Sequence, residues 1–417
     1  MRLLPLVPVT VFCVGGGLLF GADGERPVKP SSISVSMLED QAQRRVGTKA
    51  RIDLAPETSE AFRDVEPVLA SDKGRIPNYA RAVAPLKGTP GAFSQLVYTF
   101  LYAGSVEPET KMAMALRMSQ LNGSPYAAAH VIRLLRTTSR GKTLLAALKS
   151  NSVSTLPEAD QRALAYADAA TREVHGLNDA EFQKVRALYN DSQIVELTFT
   201  VCLFNYFTRF VEALNLPVEP WALETPAPSA AKWTPDPARV SLVSDAEIAL
   251  AKGMSVSTVN SQRAMMRVPA LAAAFRGFGG GGRDSEAVSR EIKLQVSFAV
   301  SMANGCRYCT LHQVQGLRRL GVSPSKLVAM KKDDDALTSR EKVAVVFARK
   351  LTREPSGITD GDYAALRQEF GEQGALEVLM QTCNFAFMNR FTDGLRLPSE
   401  DAAIQIYRET YGADFGR

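Results

Sequence analysis

Hydrophobic positions recur along most of this chain at the three-to-four-residue step of amphipathic helices, with no convincing stretch of the alternation that marks a half-buried strand. From about Ile76 the step is sustained, as in LVYTFLYAG and KMAMALRMSQL, with leucine and alanine dominant. The pattern predicts an all-α protein. Helix boundaries are written into the same stretch: Pro108-Glu109 opens one helix, Leu177-Asn178-Asp179 has the form of an N-cap, and Leu216-Pro217 closes another. Residues 23–75 show little periodicity and read as an extension that wraps the first domain. Proline-dense PWALETPAPSAAKWTPDPA, residues 220–238, reads as an interdomain linker, and the glycine tract from Gly277 to Gly282 as a mobile loop.

The helical pattern repeats. ETKMAMALRMSQLNGSPYAAAHVIRLLR from Glu109 aligns with EIKLQVSFAVSMANGCRYCTLHQVQGLRR from Glu291, pairing Lys111 with Lys293, Ser119 with Ser301, Asn122-Gly123 with Asn304-Gly305, Tyr126 with Tyr308 and His130 with His312. In a second block Thr171-Arg172-Glu173 pairs with Thr352-Arg353-Glu354. There Glu196, Cys202, Phe204, Arg209 and Pro217 also pair with Glu377, Cys383, Phe385, Arg390 and Pro398. The offset is 182 in the first block and 181 in the second, a one-residue indel between them. So long a period predicts duplication of a whole domain rather than a solenoid. The expected organisation is a first repeat at 76–219 and a second at 239–417.

A length of 417 residues suits two domains. Hydrophobic residues at 46% and charged residues at 22% describe a globular protein with an ordinary core. The net charge of +5 is spread without a like-charged block, so no nucleic-acid partner is expected. The opening segment has one arginine, an apolar stretch and a polar continuation from Asp23. It reads as a secretory signal peptide over residues 1–22, predicting an exported, periplasmic or extracellular protein. An uncleaved membrane anchor is the alternative, weakened by Pro5, Pro8 and three glycines.

Candidate chemistry sits at Asn304-Gly305-Cys306-Arg307-Tyr308-Cys309-Thr310-Leu311-His312. Asn-Gly breaks the chain, so Cys306 starts a helix, where unpaired N–H groups and the helix dipole favour a thiolate. A spacing of three places Cys306 and Cys309 on one face, and His312 stands one turn further to exchange a proton. The geometry suits a reversible dithiol. Zinc would need a fourth ligand beside these three, and an inert disulfide is the other structural alternative. The first repeat has Ser124 and Ala127 at the cysteine positions yet keeps His130, which points to a structural or pocket-shaping role for that repeat and a core or capping role for His130. Cys202 and Cys383, matched in apolar helices, read as buried core thiols, and Arg209 and Arg390 as anchors for paired carboxylates. Glu291 is a further catalytic candidate, although its match Glu109 survives without thiols.

At SFAVSMANGCRYC, residues 297–309, and at FARKLTREPSGIT and NRFTDGLRLP downstream, the sequence resembles the carboxymuconolactone decarboxylase-like superfamily, in particular its alkyl hydroperoxidase D branch. The resemblance implies two tandem all-helical domains, assembly into trimers or hexamers, and thiol-dependent reduction of a hydroperoxide. By that analogy Cys309 attacks peroxide and Cys306 resolves the sulfenic acid. It implies no cofactor beyond the Cys306–Cys309 redox disulfide, and as partners a hydroperoxide substrate, a thiol reductant and, for fused domains, two further copies of the chain in a trimer. A thiol–disulfide exchange protein or a non-enzymatic scaffold are the alternatives. Two positions depart from the branch: Leu294 stands where its glutamate precedes the first cysteine, and His312 follows the second cysteine by three residues rather than four.

Overall fold

The computed structural model describes residues 32–173, 177–226, 247, 259–280, 287–332, 336–412 and 415. The signal segment, residues 23–31 of the extension, most of the expected linker and Gly281-Gly282 lie outside the described residues. Among the described residues the protein is all-α, with a single isolated bridge between Val46 and Val218.

In chain order the first half contains α1 (Val35–Arg44), α2 (Asn78–Ala82), α3 (Thr89–Tyr102), α4 (Pro108–Asn122), α5 (Pro125–Leu135), α6 (Ser139–Lys149), α7 (Glu158–Arg172), α8 (Asp179–Arg186) and α9 (Asp191–Ala213). The second contains α10 (Asn260–Met265), α11 (Pro269–Gly280), α12 (Arg290–Asn304), α13 (Arg307–Arg319), α14 (Pro324–Lys332), α15 (Ser339–Arg353), α16 (Asp360–Gly394) and α17 (Asp401–Tyr411). Side chains choose these boundaries. Asn178 and Thr359 cap α8 and α16, Asn190 makes a capping box for α9, and Thr338 makes one for α15. Gly371, at φ 68°, breaks α16 in two just where Asn190 separates α8 from α9 in the aligned sequence. The extension is more ordered than its sequence suggested: α1 docks on α5, burying Val35, Leu38 and Ala42. Gly277 to Gly280 continue helix α11 rather than forming a loop.

The two halves meet through matched helices. α9 packs along α16, and α3 along α11. Each helix therefore faces its own sequence counterpart, as in a two-fold pair. Phe199, Phe275, Phe387 and Phe391 fill this seam, with Phe275 and Phe387 stacked at 4.4 Å between centroids. α9 is long and apolar enough to cross a membrane but is wholly buried here, a core helix.

The seam also corrects an expectation. Arg209 and Arg390 are fully buried, and among the described residues neither holds a carboxylate partner at salt-bridge distance. Arg209 Nη2 donates to Thr352 O at 3.1 Å, and Arg390 Nη2 to Thr171 O at 3.4 Å, each crossing into the other half. Those carbonyls lie in the last turns of α15 and α7, where unpaired C=O groups carry the negative end of the helix dipole. Two helix ends thus replace the expected acids. Burial pushes both guanidiniums down, Arg209 to about 10, and repulsion by Arg209 lowers Arg390 further.

Candidate active site

Gly305 ends α12 in the left-handed conformation at φ 70°, and Cys306 then caps α13. The Cys306 sulfur accepts from Cys309 N–H at 3.3 Å, as an N-cap side chain does. Both sulfurs touch a single hydroxyl, Thr392 Oγ1, at 3.3 and 3.4 Å. That hydroxyl donates to Met388 O at 3.0 Å, leaving its lone pairs toward the thiols. Both thiols are reduced and buried, Cys306 at 0% and Cys309 at 3% exposure, under Phe385, Met388 and Leu397.

The helix start does not decide the state of Cys306. Burial pushes its thiol well up, and the neighbouring Cys309 and the Asp393 carboxyl add to that. Asp393 lies one residue beyond Thr392, near enough to the Cys306 thiol that each shifts the acidity of the other. Burial raises its own carboxyl to about 7, against the pull of Cys306 and Arg390. Its Oδ2 is buried without a hydrogen-bond partner among the described residues. A carboxyl so placed can take a proton from Cys306 near neutrality.

His312 is placed otherwise than its spacing suggested. Its Nδ1 donates to Tyr308 O at 2.7 Å, its ring stacks on Tyr308 at 4.2 Å, and Nε2 lies 2.6 Å from Glu400 Oε2 at an angle poor for a hydrogen bond. Tyr308 OH donates to the other oxygen of Glu400 at 3.1 Å. The imidazole is therefore held between Tyr308 and Glu400. Glu291 is not brought to the thiols at all. It opens α12, thirteen residues before the helix ends, which is about 20 Å away. There it binds Lys326 at 2.9 Å and Gln295 at 3.0 Å.

Matched side chains meet in the first half as well. Tyr126 donates to Glu219 at 2.8 Å and His130 pairs with Glu219 at 2.9 Å, and Glu219 aligns with Glu400. At the first cysteine position Ser124 Oγ donates to Glu212 at 2.7 Å, and Glu212 aligns with Asp393. Glu212, however, is paired with Arg45 at 2.6 Å. Sequence reasoning passed over Thr392, Asp393 and Glu400, which lie 83 or more residues from the cysteines. The acidic identity at both members of each aligned pair was the available signal. Cys202 and Cys383 are fully buried core thiols whose acidity burial suppresses. Among the described residues no group of three or more His, Cys, Asp or Glu side chains is arranged to hold a metal ion.

Fold and site together define an all-helical protein with a CxxC dithiol at a helix start. The sequence model of the Carboxymuconolactone decarboxylase family matches residues 269–349, a stretch that includes the dithiol. Among solved structures the chain is similar to the debrominase Bmp8. The apo form matches at 24% identity over 36% of this chain and 83% of that one, with a TM-score of 0.34. A cysteine-to-alanine variant in complex with 2,3,4-tribromopyrrole matches at 23% over 36% and 82%, also at 0.34. No curated protein matches the chain.

Proposed function

We propose that the protein reduces hydroperoxides through Cys306 and Cys309. The observation that carries this reading is the pair of free thiols sharing the Thr392 hydroxyl, with the Asp393 carboxyl close enough to Cys306 to raise its thiol. The Cys309 thiolate attacks the peroxide, the O–O bond breaks, and Cys309 becomes a sulfenic acid while the leaving oxygen takes a proton to give an alcohol or water. Cys306 then attacks the Cys309 sulfur, the S–O bond breaks, and a disulfide forms. The Cys306 proton passes to Asp393 and on to the departing hydroxide, which leaves as water. A small thiol reductant returns two electrons and two protons.

The assignment of Cys309 as the attacking sulfur rests on its slightly greater exposure and on the strongly suppressed acidity of Cys306. Burial also separates this reading from protein disulfide exchange. Sulfurs at 0% and 3% exposure admit a small oxidant far more readily than a disulfide on another protein. We propose further that three chains assemble as a ring, which a monomeric mass in solution would refute.

The test is stopped-flow oxidation of the reduced protein by hydrogen peroxide and by an organic hydroperoxide, counting thiols afterwards. The expected result is loss of two thiols at least 100-fold faster than a free thiol, abolished by Cys309→Ser. Oxidation at the free-thiol rate, with rapid exchange against a small disulfide, would replace this reading with disulfide exchange.

A further inference from the structure

The half without thiols contains a cleft of its own. About 730 Å³ of empty volume, counted out to the open mouth, lies between α3, α5, α9 and the Pro220–Leu223 turn. Its floor is apolar, made by Leu101, Leu203, Phe204 and Phe207, and Trp221 stands at its rim with His130. A largely apolar lining with a few polar groups converging on it is that of a small-molecule site.

Two polar groups in this lining are left unsatisfied. Tyr79 is 4% exposed, and its hydroxyl has no hydrogen-bond partner among the described residues. Arg133 is 2% exposed; one nitrogen binds Asp72 at 2.6 Å, but Nε has none. Burying a hydroxyl or a guanidinium N–H without a partner costs on the order of 1–3 kcal/mol each, so such groups call for an explanation. Both residues line the cleft. Burial, reinforced by Glu219 and Asp72, keeps the Tyr79 phenol protonated, so it is a donor at any ordinary pH. Arg133 Nε can only donate.

The charges of the lining are matched within it or beside it. Arg133 pairs with Asp72, Arg75 with Glu224 and His130 with Glu219, while Glu66 adds a further carboxylate. Unused donors without surplus positive charge select an acceptor oxygen on a neutral molecule over a carboxylate. The aligned positions in the other half carry Ser261, Gln315 and Ala402 where this half has Tyr79, Arg133 and Trp221. Backbone geometry is retained across that exchange, since Tyr79 N donates to Tyr126 OH at 3.3 Å and Ser261 N to Tyr308 OH at 3.4 Å. The donors and the tryptophan therefore belong to this half alone.

We infer that the thiol-free half is a binding site for a small, uncharged, largely apolar molecule bearing a carbonyl-type oxygen, which Tyr79 OH and Arg133 Nε would hold while the ring or chain lies on Phe204 and Phe207 against Trp221. This site is independent of the dithiol and of the peroxide reading.

The sequence has two tryptophans, Trp221 and Trp233, so Trp233→Phe leaves Trp221 as the sole reporter. Titrating that protein with acetophenone, toluene and benzoate tests the inference. Saturable change in Trp221 emission is expected with acetophenone, at least tenfold tighter than with toluene or benzoate. Tyr79→Phe removes no protein contact of the hydroxyl, so the variant folds, and it is expected to weaken acetophenone at least fivefold without changing toluene. Cys309→Ser is expected to leave the affinity as it is. Equal affinities for acetophenone and toluene, indifference to Tyr79→Phe, or no saturation by 10 mM with ordered water alone in a soaked crystal would each overturn it.

Discussion

The two halves place the same side chains around different chemistry. Tyr126, His130 and Glu219 make a connected group in the first half, and Tyr308, His312 and Glu400 make its counterpart in the second. The group stands beside Ser124 and Ala127 in one case and beside two cysteines in the other, so its geometry does not depend on the thiols. What changes with the thiols is the acid facing the helix start. Glu212 is charge-paired with Arg45, whereas Asp393 is buried with its Oδ2 unpartnered and its carboxyl raised to about 7. In the proposed reaction this makes Asp393 the proton acceptor for Cys306.

The largest effect expected of any single change tests whether the halves are equally braced. Lys111 and Glu196 face each other at 3.7 Å with both side chains 1% exposed, while the matched Lys293 and Glu377 pair at 3.0 Å with the lysine 14% exposed. Burial depresses Lys111 to about 8 despite its partner. Removing one member of such a buried pair costs about 3–5 kcal/mol, because the other charge is stranded. Lys111→Met should lower the urea midpoint accordingly and Lys293→Met by about half as much, with Lys111→Met/Glu196→Gln recovering part of the loss. Equal losses in the two halves would mean that burial is not what distinguishes them.

Asp393→Asn sharpens the chemical half of the comparison. Disulfide formation after peroxide addition should slow about 10- to 100-fold, the contribution expected of a positioned base, and its pH dependence near 7 should vanish. Stability should move the other way. The Asp393 carboxyl ionises at about 7 in the folded protein and near 3.8 in an unfolded chain, so the folded state holds a proton that the unfolded state has released across that window. Stability then falls as pH rises from about 4 to 7, by roughly 2–4 kcal/mol at most, and the asparagine variant escapes the loss. A variant that is neither slower nor more stable at pH 8 would return the proton to another group.

Much of this was legible in the chain, and what was not has a physical reason. Helical periodicity, the N-caps at Asn178 and Cys306, and the burial of Cys202 and Cys383 follow from local pattern, which spacing reports well. Partners distant in sequence were harder. Arg209 and Arg390 suggested carboxylates, yet a helix C-terminus offers a guanidinium the same partial negative charge, and residue type cannot tell them apart. Thr392 and Asp393 reach the cysteines only because α16 crosses the start of α13. The alignment of the two sequence segments held that information, since positions 212 and 393, and 219 and 400, are acidic in both.

The smallest expected effect bears on Glu291, which sequence nominates and geometry places elsewhere. Its carboxylate is 38% exposed and shares Lys326 with Glu341, which holds the same ammonium at 2.7 Å. Burial would raise Glu341, but hydrogen bonds from Lys326, Gln295 and Thr338 outweigh it and hold that carboxyl at about 2, so Lys326 keeps a firmly ionised partner without Glu291. Glu291→Gln therefore removes only a half-exposed pair, worth about 0–1 kcal/mol in stability. With about 20 Å of helix between it and Cys306, the rate of peroxide oxidation should stay within twofold of the parent. A tenfold fall in that rate would require the amino end of α12 to communicate with its carboxyl end. It would also make Glu109, the matched residue beside no thiol, the next position to question.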